Sequence, residues 1–182
     1  MLRIIGGNAR SRKLVAPDGL DTRPTLDRVR ENIFNILQNH VRGAVVLDLF
    51  AGSGAMGLEA ISRGAAFCVL VDQAEQPIRC IRANVAALRM EESTRVVRSD
   101  ALQYARSMTE RPTLILMDPP YAITDLRAVT AALAAKVDPD ALMLIEHQAG
   151  APVLADEAWI PVDQRTYGIA GITLFRLKGA EG

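Results

Sequence analysis

From residue 44 onward, short unbroken apolar runs alternate with stretches whose apolar positions recur every three to four residues. The runs at 44–50, 66–71, 95–98, 113–117 and 141–146 predict strands, and the stretches near 55–63, 75–90, 101–108 and 125–136 predict the helices between them. Runs such as Ala44-Val-Val-Leu47 and Leu114-Ile-Leu-Met117 lack polar alternation, the pattern of parallel strands covered on both faces. The alternation predicts a doubly wound α/β sheet with helices on both faces. Past residue 150 the helical spacing stops. Residues 159–162 and 172–177 predict two last strands, joined by 163–168, that form an antiparallel hairpin at one sheet edge.

Before residue 43 the pattern is different. Residues 2–5 and 13–16 are short apolar segments around Gly6-Gly7-Asn8-Ala9-Arg10-Ser11, which predicts a β-hairpin with a basic tip. Pro17, Asp18 and Gly19 break the chain, and Leu26, Val29, Ile33, Ile36 and Leu37 then recur at helical spacing. With Thr25 as N-cap after Pro24, they predict an amphipathic helix over 25–39. We expect residues 1–42 to form a hairpin-and-helix extension on a core of residues 43–182, in one compact domain. A chain of 182 residues with 49% hydrophobic content suffices for one buried core and is short for two.

The formal net charge is zero, but its distribution is uneven. Residues 1–42 carry eight Arg or Lys and four acids, hence +4, and the remainder carries −4. The first sixteen residues hold four positive charges and no acid, as expected of a basic arm for a polyanion on an acidic body. Arg10, Arg12, Lys13, Arg23 and Arg28 are the candidate contacts to such a polyanion; Arg28 and Arg30 fit equally well the solvated face of the first helix. Cys68 and Cys80 lack metal-ligand spacing, and His40 and His147 stand alone, so no metal is expected. The absence of a long apolar stretch and of a secretory leader predicts a cytoplasmic protein without a membrane partner.

Two motifs carry chemistry. The first, Asp48-Leu-Phe-Ala-Gly-Ser-Gly54 continuing to Gly57, is a strand end, a glycine turn and a helix start. Gly52, Gly54 and Gly57 satisfy the dinucleotide fingerprint by letter. Three features oppose a dinucleotide. Asp48 would set a carboxylate beside a pyrophosphate and repel it, whereas it suits a cationic amino-acid moiety. Asp72 and Asp100 end the next two strands, where they can take ribose hydroxyls and an adenine amino group. Only about 60 residues follow the second motif, too few for the separate substrate domain that dehydrogenases add. Together these point to S-adenosylmethionine, with Asp48, Phe50, Ala51, Gly52, Ser53, Gly54, Asp72, Gln73, Asp100 and Ala101 as the candidate cofactor residues.

The second motif is Asp118-Pro119-Pro120-Tyr121, at the end of an apolar strand about two strand–helix units later. A carboxylate, a proline-held carbonyl and an aromatic ring can grip a flat base by its edge and its face. The exocyclic amine of a nucleobase is a poor nucleophile because its lone pair is shared with the ring. Donation of its N–H groups to Asp118 and to the Pro119 carbonyl returns density to nitrogen, and these bonds strengthen as positive charge develops there. Asp118 can also accept the proton lost after transfer. Pro119 and Pro120 fix the backbone, and Tyr121 offers a stacking face worth about 1–3 kcal/mol to an extruded base.

At these residues the chain resembles class I methyltransferases that modify amino groups, and more closely the RsmD family, which methylates N2 of a guanine in small-subunit ribosomal RNA. Arg3-Ile-Ile-Gly-Gly7, Arg12-Lys-Leu14, Arg23-Pro-Thr25 and Asp27-Arg-Val-Arg-Glu31 are similar to that family's N-terminal signature. Asp48-Leu-Phe-Ala-Gly-Ser-Gly54 with Gly57-Leu-Glu-Ala60 matches its cofactor motif, Asp118-Pro-Pro-Tyr121 its catalytic motif, and Tyr167-Gly168 its C-terminal hairpin. Asp72-Gln-Ala-Glu75 departs from the family pattern of a Glu followed by a charged residue. The resemblance implies a Rossmann-like, mostly parallel seven-stranded sheet and guanine-N2 methylation of 16S ribosomal RNA during small-subunit assembly. The rivals are an adenine-N6 nucleic-acid methyltransferase and a non-catalytic RNA-binding assembly factor on the same fold.

Overall fold

The structure, a computed structural model, describes residues 1–17, 19 and 24–179. Among them, seven strands form one sheet: β1 (Val45–Leu49), β2 (Phe67–Asp72), β3 (Thr94–Arg98), β4 (Leu114–Met117), β5 (Leu142–Gln148), β6 (Trp159–Tyr167) and β7 (Ala170–Leu177). Their spatial order is β3-β2-β1-β4-β5-β7-β6. Strands β1 to β5 run parallel, and β7 lies antiparallel between β5 and the edge strand β6. This is the mostly parallel, seven-stranded α/β sheet expected, closed by an antiparallel hairpin. The helices are α1 (Pro24–Ile36), α2 (Gln38–Val41), α3 (Ala55–Ser62), α4 (Glu75–Leu88), α5 (Ala101–Ser107) and α6 (Arg127–Ala134).

Residue parity divides the core in two. Val46, Leu70, Leu114, Leu116, Leu142 and Leu144 join α1, α3 and α4 on one face. Leu47, Val69, Ile115, Met117, Met143 and Ile145 join α5, α6, Trp159 and Phe175 on the other. Both faces of β1, β2, β4 and β5 are therefore buried, which is why these strands read as unbroken apolar runs. Leu2, Ile4, Leu14, Val29, Ile33 and Phe34 lie in the first cluster, so the N-terminal segment packs into the same core as the sheet.

Three elements differ from expectation. β6 continues through residues expected to be a loop, and the reversal falls at Gly168-Ile169. Asp163, Gln164, Arg165 and Thr166 pair with β7 through their backbones while their polar side chains stay largely open, so an edge strand leaves no apolar signature here. A bulge between Pro161 and Asp163 absorbs the missing N–H of the proline. The helix expected over 25–39 begins at Pro24, so Thr25 lies inside it and is not its N-cap, and it ends at Ile36, where a separate turn of helix follows. The N-terminal hairpin is reduced to a single antiparallel bridge, Arg3 with Lys13, flanked by Ile4 N–H to Arg12 O and Leu14 N–H to Leu2 O.

The hairpin tip is docked rather than free. Asn8 N–H donates to Ser62 O, Ala9 N–H to Ser62 Oγ, and Ser62 Oγ–H to Gly6 O. Gly7 has a φ of +75°, and a Cβ at this position would stand only 1.8 Å from Ser62 O, so glycine alone fits. Beneath the tip, fully buried Glu59 accepts from Ile5 N–H, Gly6 N–H and Arg63 Nε at 2.7, 2.8 and 2.7 Å.

Candidate active site

The turn after β1 is built from left-handed residues. Phe50, Gly52 and Gly54 have φ of +61°, +59° and +77°. For a bulky residue such as Phe50 this conformation costs about 1–2 kcal/mol, and such strain concentrates at functional loops. The turn is held by Ala51 N–H to Val71 O and Gly52 N–H to Asp72 Oδ2. Asn84 of α4 donates to Ser53 O and to Val15 O and accepts from Val15 N–H, tying the segment after the basic hairpin to this loop.

Asp48 is 2% exposed, and its Oδ2 accepts Gly57 N–H at 2.8 Å in the first turn of α3. A side chain at Gly57 would meet Cys68 Sγ at 2.7 Å, Leu70 Cδ2 at 2.8 Å and Asp48 Oδ2 at 3.0 Å. Glycine therefore lets the helix N-terminus approach the buried carboxylate. Burial pushes the Asp48 carboxyl up to about 7; the Gly57 hydrogen bond opposes this, and the charges of Asp118 and Asp72 add to it. Asp72 accepts Gly52 N–H and Ala74 N–H, and Asp100 caps α5 by accepting Gln103 N–H at 3.0 Å. Each of these three acids thus has a structural duty beside any ligand role.

A cavity of about 590 Å³ opens at the C-terminal ends of the parallel strands. Its wall includes Asp48, Phe50, Ala51, Gly52, Ser53, Asp72, Gln73, Asp100 and Ala101 on one side and Asp118, Pro119, Pro120 and Tyr121 on the other. Among the expected cofactor residues, Gly54 is absent from this wall; it heads α3, packed against Leu70 and Ile81. The volume is of the size that holds an adenosine-like molecule. Five acids against one Arg line it, so its chemistry favours a cation with hydroxyl and amino groups over a pyrophosphate.

Sequence reasoning missed two charged residues of the wall, Glu146 and Arg30. Met117 pairs with Ile145, so Asp118, just past the end of β4, stands beside Glu146 within β5, both on the face covered by α1. Asp118 presents surface to the cavity but is enclosed by protein elsewhere, and this confinement raises its carboxyl to about 6. Burial, then the Asp118 charge, raises Glu146 to about 8, with Arg30 pulling the other way. Tyr121, 38% exposed, is raised by burial and then by the charges of Glu146 and Asp118. Arg30 is 6% exposed: it donates to Arg3 O and Asp27 and lies 3.7 Å from Glu59, so the solvated-face reading fails for it. A signal for Glu146 exists in the sequence, because the strand predicted over 141–146 ends on an acid as the cofactor-side strands do.

Of the expected RNA contacts, Arg10, Lys13 and Arg28 are exposed. Arg12 is exposed as well, but its guanidinium donates to Ala87 O at 2.7 Å, and Arg23 lies outside the described residues.

This geometry can be set beside known proteins. The family described as "Conserved hypothetical protein 95" matches residues 2–176. The chain belongs to this family, the RsmD methyltransferases. YlbH of Bacillus subtilis is 32% identical over 98% of this chain and 100% of its own length. The Escherichia coli protein named ribosomal RNA small subunit methyltransferase D is 42% identical over 66% of this chain and 60% of its own length. Among solved structures, yhhF from Escherichia coli superposes with a TM-score of 0.84 at 33% identity, covering 97% of each chain.

Proposed function

We propose that this methyltransferase acts on the exocyclic N2 amino group of a guanine in 16S ribosomal RNA, with S-adenosylmethionine as donor and a partly assembled small subunit as substrate. The observation that carries the proposal is Asp118, a carboxylate at the mouth of β4 that makes no hydrogen bond with any described residue and opens into an acid-lined cavity beside Pro119 and Tyr121. The relatives named ribosomal RNA small subunit methyltransferase D support the choice of RNA.

S-adenosylmethionine supplies a methyl group on a positively charged sulfur. Asp48 and the turn at Phe50–Gly54 would hold its amino-acid end, Asp72 and Gln73 its ribose hydroxyls, and Asp100 and Ala101 its adenine. On the opposite wall, ionised Asp118 and the Pro119 carbonyl accept from the target amine, hold it in line and restore its nucleophilicity. Asp118 takes the proton that the amine sheds. Tyr121 covers the face of the extruded base, and the exposed Arg10, Lys13 and Arg28 meet phosphates away from the reacting atoms.

The test is incubation of the protein with isotopically labelled S-adenosylmethionine and unmodified small-subunit RNA, small-subunit particles or DNA, followed by mass spectrometry of the nucleosides. N2-methylguanosine from RNA or particles is expected. Label in N6-methyladenine would overturn the base assignment, and no label in any substrate would favour a non-catalytic assembly factor.

A further inference from the structure

Glu146 is an acid that the reaction as described does not use. It stands in the C-terminal half of β5, two residues before the strand ends, next to Asp118 through the Met117–Ile145 register, and lines the same cavity. Parity puts both side chains on the sheet face under α1, because Leu116 and Leu144, two residues earlier on each strand, belong to that face. Within the strand its backbone pairs with β7, but the Glu146 carboxyl forms no hydrogen bond or ion pair with any described residue, although Arg30 is close enough to pull on its charge. It is half-buried and continues past the main cavity into a small recess lined by Pro119, Tyr121, Ile123 and Ile145. An unpaired buried carboxyl costs stability unless something else satisfies it, and the open cavity leaves that position to a ligand.

The edge of a purine supplies the partner. In guanine, the ring N1–H lies next to the N2 amino group, and both are donors. In adenine, the ring nitrogen next to the amino group is an acceptor. A second carboxylate beside the one that holds the amine therefore attracts guanine and repels the adenine ring nitrogen. We propose that Glu146 is a specificity-determining residue, accepting the N1–H of the target guanine while Asp118 holds its N2 amine. This rests on the guanine-N2 reading. Asp118 alone, with the Pro119 carbonyl, cannot make that choice, because any exocyclic amine offers the same N–H groups. Burial and the Asp118 charge hold Glu146 neutral below about pH 8, so accepting N1–H requires it to give up its proton. Once ionised it meets the bare ring nitrogen of adenine acceptor to acceptor, and the preference for guanine grows as pH rises through that value.

2-Aminopurine keeps the 2-amino group but lacks both the N1–H and the 6-oxo group, and variants of Glu146 separate the N1–H contact from any contact to the oxygen. Once the modified position is mapped by mass spectrometry, small-subunit RNA carrying guanine or 2-aminopurine there is assembled into particles. Methylation rates are then compared for the wild type, Glu146→Ala and Glu146→Gln. Above about pH 8, where Glu146 is ionised, the wild type is expected to favour guanine by about 30-fold or more, and Glu146→Ala to reduce that ratio to about threefold or less. Glu146→Gln keeps the size of the side chain and can donate to the bare nitrogen, so its ratio should fall as well, which guards against misfolding of the alanine variant. Wild-type discrimination retained in both variants, or equal losses on the two bases, would overturn the assignment. Failure of the wild type to methylate guanine N2 at all would instead remove the underlying reading.

Discussion

The two walls of the cavity treat their acids in opposite ways. On the turn side, Asp48, Asp72 and Asp100 each accept backbone N–H groups, from Gly57, from Gly52 and Ala74, and from Gln103. On the motif side, Asp118 and Glu146 accept nothing from any described residue. Acids bound by the scaffold are fixed before a ligand arrives and can serve as a template for it. Acids left open are completed only by the substrate, so hydrogen bonds made there can change during the reaction. On the proposed function, the contrast fits donor binding at the first wall and chemistry at the second.

The largest effect should come from breaking the open wall. Asp118→Ala is expected to lower turnover by about 10³-fold or more while donor affinity, measured by calorimetry, stays within about threefold. Near-normal turnover would remove Asp118 from the mechanism.

The bound wall is tested through its packing. Gly57→Ala forces a methyl group against Cys68, Leu70 and Asp48, and is expected to cost about 1–3 kcal/mol in chemical denaturation and to weaken donor binding. Unchanged stability and affinity would mean that α3 can shift without consequence for the site.

The same wall predicts a pH dependence. Asp48 is raised from 3.8 to about 7 by burial, so the fold favours its neutral form. Its contribution to stability is complete below its ordinary value and is lost as pH rises through about 7. A cationic donor favours the ionised form, so donor affinity should rise with pH over that window and binding should release a proton. Calorimetry in buffers of different ionisation enthalpy reads this release. Asp48→Asn should flatten the stability profile and remove that part of the proton release, and a wild-type affinity flat from pH 5 to 8 would contradict the account.

The smallest effect concerns the basic arm. Arg10→Glu with Lys13→Glu should weaken RNA association and reduce its salt dependence by about two charges, leaving donor affinity intact. Arg12→Ala should disturb the arm itself, because Arg12 is anchored to Ala87. Unchanged RNA affinity in the double variant would assign the arm to structure.

How far these walls are legible in the sequence follows from what holds them. β1, β2, β4 and β5 announce themselves because burial on both faces demands apolar residues at every position. Asp118 and the turn acids are readable as acids ending such strands. β6 runs longer than its apolar pattern because an edge strand is held by backbone pairing, which leaves no trace in side-chain polarity. Arg30 misleads for the opposite reason: a charged residue at a helical position looks solvated until Glu59, Asp27 and the Arg3 carbonyl close around it. Its partners are 3, 27 and 29 residues away, a tertiary arrangement that no local pattern encodes.

The most direct test of the central claim is a crystal structure of the protein with S-adenosylhomocysteine. The account predicts that the ligand lies in the acid-lined cavity, with its amino-acid end by Asp48 and Gly52, its ribose by Asp72 and its sulfur facing Asp118. A ligand lodged elsewhere, or lying in the cavity with its sulfur turned away from Asp118, would contradict it.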